Sequence, residues 1–161
     1  MNKVSLKAIS GLVLTVFLVL AAMQVPAAGG NGKARRIEGT WSVRVTPRNC
    51  DTGAELLNFP AKTTFLSGGD MFTTPSITVP FLRSTGHGVW EHAGGRSFNA
   101  TIELFDYNQD HTFVGIERVT QHIELNENDD EFTSTNTFVL TNANGQVLMR
   151  GCSTAVGHRL E

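Results

Sequence analysis

Beyond residue 36 apolar and polar side chains alternate with a period of two along most of the chain, and no stretch carries the 3.6-residue period of an amphipathic helix. The alternation predicts strands at about 37–46, 61–67, 70–76, 85–91, 96–106, 111–125, 131–142 and 146–157. Turn chemistry separates most of them: Ser67-Gly68-Gly69-Asp70, His92-Ala93-Gly94-Gly95, Asn108-Gln109-Asp110, Asn126 to Asp130, and Asn144-Gly145. The Asn-Gly pair is the strongest of these signals and predicts a type I′ hairpin.

Eight consecutive hairpin-linked strands predict an all-β fold, an eight-stranded up-and-down antiparallel β-barrel, because closing the sheet removes the two edges an open meander would expose. A β-sandwich is the alternative, but a Greek key needs a long crossover, and the only long gaps are about 47–60 and 77–84. In an up-and-down barrel alternate connections share a rim. The gaps 47–60, 77–84, 107–110 and 143–145 then form a mouth, and the tight turns 67–70, 92–95 and 126–130 close the other end.

Taking the more apolar member of each pair as inward places Trp41, Val43 and Val45 inside, with Phe98, Ala100, Ile102 and Leu104 on the fifth strand. Phe113, Val119 and Ile123 follow on the sixth, and Phe132, Phe138 and Leu140 on the seventh. The same parity forces Glu117, Gln121, Ser134 and Asn136 inside. An unpaired buried polar group costs about 1–3 kcal/mol, so these four must bond one another, water or a guest.

The N-terminus has a different character. Lys3 and Lys7 precede an uncharged, Leu- and Val-rich run from Ala8 to Ala22, and Val25-Pro26-Ala27 supplies small side chains at a cleavage position. This order predicts a signal peptide over 1–27, too short in its apolar run to span a bilayer, followed by a flexible leader over 28–36 and the β-barrel domain over 37–161. The mature chain would be exported, periplasmic or extracellular, with no membrane span. Removing 1–27 takes away two Lys and no acid, leaving 11 basic against 15 acidic side chains, a balance that argues against nucleic acid as a partner. In an oxidising compartment Cys50 and Cys152 are expected to form a disulfide. No redox or zinc spacing surrounds them.

Gly39-Thr40-Trp41 opens the first strand and Arg159 ends the last, a combination that resembles the calycin group of lipocalins, fatty-acid-binding proteins and avidins. The resemblance implies barrel closure by Gly39, Trp41 and Arg159, the basic side chain packing across the indole. If the two Cys are opposed on antiparallel first and last strands, paired positions sum to about 202, which brings Arg159 within reach of Trp41. The lipocalin C-terminal helix, the helix pair of fatty-acid-binding proteins and the biotin-binding residues of avidins have no counterparts here. The chain as a whole also resembles secreted bacterial proteins of unassigned function.

Candidate chemistry is sparse. Asp106 to His111 followed by Glu117 has the spacing of a calcium-binding EF loop at positions 1, 3, 5 and 12, but His111 stands where that loop needs Gly and the flanks are strands. A polar hairpin turn is the simpler reading, so no metal site is assigned. The acidic run Glu124, Glu127, Asp129, Asp130 and Glu131 reads as a solvated hairpin tip. The five His, at 87, 92, 111, 122 and 158, lack ligand spacing, and hydrolase, metalloprotease and phosphate-loop motifs are missing, so the sequence calls for no catalytic residue and no cofactor.

The favoured function is an exported lipocalin-like barrel binding a small, largely apolar ligand. Phe98, Glu117, Gln121, Ser134, Asn136 and Phe138 are the interior candidates, with Phe81, Leu82 and Tyr107 at the mouth. The alternatives are a packed barrel acting as an envelope or interaction module and, third, a barrel isomerase or cyclase. Oligomeric state has no signal in the sequence.

Overall fold

A computed structural model describes residues 34–78 and 80–160. The expected signal peptide and the leader up to residue 33 lie outside the described residues. A 3-10 turn, Ala34–Ile37, takes in the last three residues of the expected leader and precedes nine strands. These are β1 Gly39–Arg48, β2 Phe59–Phe65, β3 Asp70–Pro75, β4 Leu82–Arg83, β5 Gly86–Gly94, β6 Ser97–Tyr107, β7 Phe113–Leu125, β8 Glu131–Thr141 and β9 Val147–Arg159.

Every ladder is antiparallel. The sheet runs β1-β2-β3-β5-β6-β7-β8-β9, and β9 pairs with β1 to close an eight-stranded up-and-down barrel. The extra strand is the two-residue β4, which pairs with Asp106 and Tyr107 of β6 beyond the point where β5 leaves that ladder. Sequence alternation missed it because two residues carry no period.

Parity decides the inner face almost everywhere. Trp41, Phe98, Ala100, Ile102, Leu104, Ile123, Phe132 and Leu140 are buried as expected, and so are Glu117, Ser134 and Asn136. Phe113 is a correction: it is 43% exposed. Asp106 pairs with Gly115 but Tyr107 pairs with Phe113, so Val114 is an extra residue in β7. That bulge turns Phe113 outward, onto Phe105 and Tyr107.

The Asn144-Gly145 turn is a second correction. Only Gly145 takes a positive φ, 78°, and Gly145 N–H donates to Asn142 C=O while Asn142 N–H donates to Gln146 C=O. This is a three-residue loop with a type I turn and a bulge glycine; a type I′ turn would need positive φ at Asn144 too.

The closed end is floored by aromatic rings. Trp41 meets Phe132 edge-on at 5.0 Å, Phe132 meets Phe65, Phe65 meets Trp90, and Trp90 meets Phe98 at 5.9 Å. Such edge-to-face contacts add about 0.5–1.5 kcal/mol each beyond area burial. Both indole N–H groups are satisfied by backbone, Trp41 on Ile37 C=O at 2.9 Å and Trp90 on Leu66 and Asp70 C=O.

Arg159 seals this end from outside. It pairs directly with Trp41 in the β1–β9 ladder, its guanidinium lies 4.3 Å from the indole centroid, and it donates to the carbonyls of Asp129, Glu38 and Arg36. Gly39 has φ +121°, a backbone conformation that favours glycine, and a Cβ there would stand 2.9 Å from Arg159 Nη1, so the guanidinium would have to shift.

Cys50 and Cys152 are at disulfide distance with Cα atoms 5.4 Å apart, but they are not opposed residues. Cys152 faces Arg48, and Cys50 sits two positions further on, in the turn that follows β1. The register therefore sums to 200, and Trp41 faces Arg159 itself. Among the described residues no helix is long and apolar enough to cross a membrane.

Candidate functional site

Above the aromatic floor the barrel is not filled. A cavity of about 220 Å³ lies beneath the two long loops, walled by Val45, Phe59, Ala61, Ile102, Leu104 and Val119 and roofed by Leu56, Leu57, Ile77, Pro80 and Phe81. The roof residues come from the gaps 47–60 and 77–84, which the loop lengths had assigned to the mouth. The floor forms where Trp41, Phe65, Trp90, Phe98 and Phe132 meet across the barrel, and the void where smaller inward residues, Val45, Ala61, Thr73, Val119 and Ser153, stand among the larger ones.

Two polar groups interrupt the apolar wall. Nearer the mouth, β4, β6 and β7 bring together Arg83, Asp106 and Glu117. Arg83 Nη2 donates to Glu117 Oε2 at 2.6 Å and Nε to Asp106 Oδ1 at 3.4 Å, while the guanidinium carbon sits 5.9 Å from the Phe59 ring centroid. Asp106 is fully buried, and its Oδ2 has no hydrogen-bond partner among the described residues. Burial raises the pKa of both carboxyls, partly offset by Arg83. Glu117, with the Asp106 carboxyl also pushing upward, reaches about 7.

Deeper in the barrel, Asn136 Nδ2 donates to Ser153 Oγ at 3.1 Å, with Gln121 opposite Asn136 in the β7–β8 ladder. All three side chains line the cavity. Asn136 Oδ1 is buried and without a partner among the described residues.

Of the residues expected at a binding site, Phe81, Glu117, Gln121, Asn136 and Phe138 line this cavity. The others lie off it. Phe98 belongs to the aromatic floor, Ser134 is buried between Asn136 and that floor, Leu82 pairs with Tyr107, and Tyr107 packs on the exposed Phe113.

Arg83 was missed altogether, having no alternation around it to give it a face. Asp106 was legible: the inward series Phe98, Ala100, Ile102, Leu104 reaches it by two more residues. The EF-loop spacing is overturned here, since its first and twelfth positions, Asp106 and Glu117, both turn inward onto Arg83. The loop itself is a hairpin in which Asn108 N–H donates to Thr112 C=O and Asp110 caps Thr112 N–H. Among the described residues no cluster of three metal-ligating side chains occurs.

Asp129 at the acidic tip pairs with Arg96 and Arg36, and Glu131 lies 3.5 Å from His158 Nδ1. No protein-family model matches the chain, and no curated protein is significantly similar to it in sequence.

Proposed function

We propose that this is an exported lipocalin-like barrel that carries a small, largely apolar molecule in the cavity beneath its long loops. The observation that carries the reading is the cavity itself: an apolar wall broken at two levels by buried polar groups, Arg83–Glu117 and Asn136–Ser153. A module acting only through its surface has no need of such a void, whose lining forfeits packing contacts. At about 220 Å³ it is smaller than the roughly 300–1,000 Å³ that holds drug-sized ligands, so the guest is small. The signal-like N-terminus and the paired cysteines support export.

Titration calorimetry with a neutral probe, hexan-1-ol, tests it, beside mass spectrometry of whatever an organic extract of the purified protein yields. Saturable one-to-one binding is expected, lost in Val45→Trp, which fills the cavity, while circular dichroism stays that of the parent. Absence of binding, or equal binding by the filled variant, would overturn the assignment.

A further inference from the structure

The polar atoms around the cavity are unequal in kind. Arg83, the one cation lining it among the described residues, is already engaged by two carboxylates, at 2.6 Å and 3.4 Å. An anionic guest at Arg83 would stand beside both carboxylates, in surroundings where like charges repel strongly. Two buried acceptor oxygens are left over, beside the Gln121 amide that also lines the cavity. Asp106 Oδ2 and Asn136 Oδ1 are both buried and unpartnered among the described residues, and Asn136, only 5% exposed, lines the cavity well away from the acidic pair. A buried orphan acceptor costs about 1–3 kcal/mol unless something donates to it.

With both carboxyls ionised, the two against one guanidinium leave one negative charge uncompensated in an apolar wall. Among the described residues no further titratable group lines the cavity: across from Glu117 β8 presents Leu140, and the neighbouring inward positions on β1, β2 and β9 are Val45, Phe59 and Ser153. Beside Arg83 the ionised pair is one positive charge short, and a protonated amine supplies one charge and up to three donors.

We propose that the guest of this cavity is a small apolar amine, held as its ammonium by Glu117, with Asp106 adding its negative charge from behind Arg83 and the apolar body against Val45, Phe59 and Val119. The inference rests on the cavity-binding reading above and adds the chemical class of the ligand. Charge balance then requires the amine to replace a proton: the carboxyl pair releases one as the ammonium enters.

Three probes of equal length separate the possibilities by calorimetry at pH 7: hexylamine, hexanoate and hexan-1-ol. The amine is expected to bind at least about tenfold more tightly than hexanoate, the scale of one charge-assisted hydrogen bond. Glu117→Gln should remove that preference, bringing hexylamine down to the affinity that the same variant shows for hexan-1-ol. Repeating the amine titration in two buffers of different ionisation enthalpy should reveal proton release, absent for the alcohol. If hexan-1-ol binds and the amine is no better than hexanoate, the amine assignment is overturned and the cavity reading stands. If none of the three binds, the cavity reading itself falls. An amine preference that persists undiminished in Glu117→Gln and in Asp106→Asn also overturns the assignment, and should either variant fail to fold, the three-probe comparison on the unaltered protein decides alone.

Discussion

A carboxylate on an alternating strand ordinarily belongs to its polar, solvent-facing set, and Glu117 departs from that rule because Gly115, Val119, Gln121 and Ile123 share its parity. Its inward position was therefore legible from the sequence, as were those of Gln121, Ser134 and Asn136. Its partner was not: Arg83 reaches Glu117 from 34 residues away, across two strands. Burial with only one cation between two carboxyls has a consequence for stability. The Glu117 pKa rises on folding from its ordinary value of 4.5 to about 7. Between those values the folded state holds a proton that the unfolded chain has lost, so stability falls as pH rises through the window. At about 1.4 kcal/mol per pH unit the loss comes to roughly 3 kcal/mol, and the raised Asp106 acts in the same direction. Urea denaturation at pH 5 and pH 8 should show this decline, and Glu117→Gln should flatten most of it. An unchanged slope in that variant would place the titration elsewhere.

At the level of strands and turns, alternation located all eight long strands, with ends displaced by up to three residues. It failed where the chain departs from strict period two. The Val114 bulge reverses Phe113, and β4 is too short to show a pattern. Turn residues were recognised, but turn type was not, since it depends on which strand residues pair across the loop. The β6–β7 hairpin illustrates the energetics. It repeats the bonding of the Asn142–Gln146 turn, with His111 at φ 65° where that turn has Gly145 at 78°. Holding a residue with a Cβ in the left-handed region costs about 1–2 kcal/mol, while glycine's extra unfolded-state freedom returns part of that. His111→Gly is accordingly expected to stabilise the protein by about 0.5–1 kcal/mol, seen as a higher urea midpoint with an unchanged slope. A lower midpoint would mean that the imidazole makes a stabilising contact absent from the structure.

For the molecule as a whole, the decisive event is the meeting of first and last strands. Eight pairs join β1 to β9, Arg159 covers Trp41 at one end of that seam, and the Cys50–Cys152 bridge ties the other across 102 residues of sequence. On the chain-entropy account a crosslink closing so long a loop contributes about 4–5 kcal/mol. The Cys50→Ser, Cys152→Ser double variant should lose about that much in urea denaturation, with the barrel's circular dichroism retained in buffer. A loss near zero would show that the seam is held by its ladder alone. Most of this architecture follows from local properties of the chain. Period-two parity assigns each side chain to a face, turn residues divide the strands, and loop lengths separate mouth from floor, because each depends only on neighbours in sequence. The disulfide partner was legible too, there being only two cysteines. What the tertiary structure alone decided is the chemistry inside. The one-residue bulge in β7, the two-residue shift of the β1–β9 register and the return of β4 onto β6 depend on how strands far apart in sequence align around a closed sheet. Those alignments bring Arg83 to Asp106 and Glu117, leave Asn136 Oδ1 without a donor among the described residues and open a void above the aromatic floor, and none of them is encoded within any single segment.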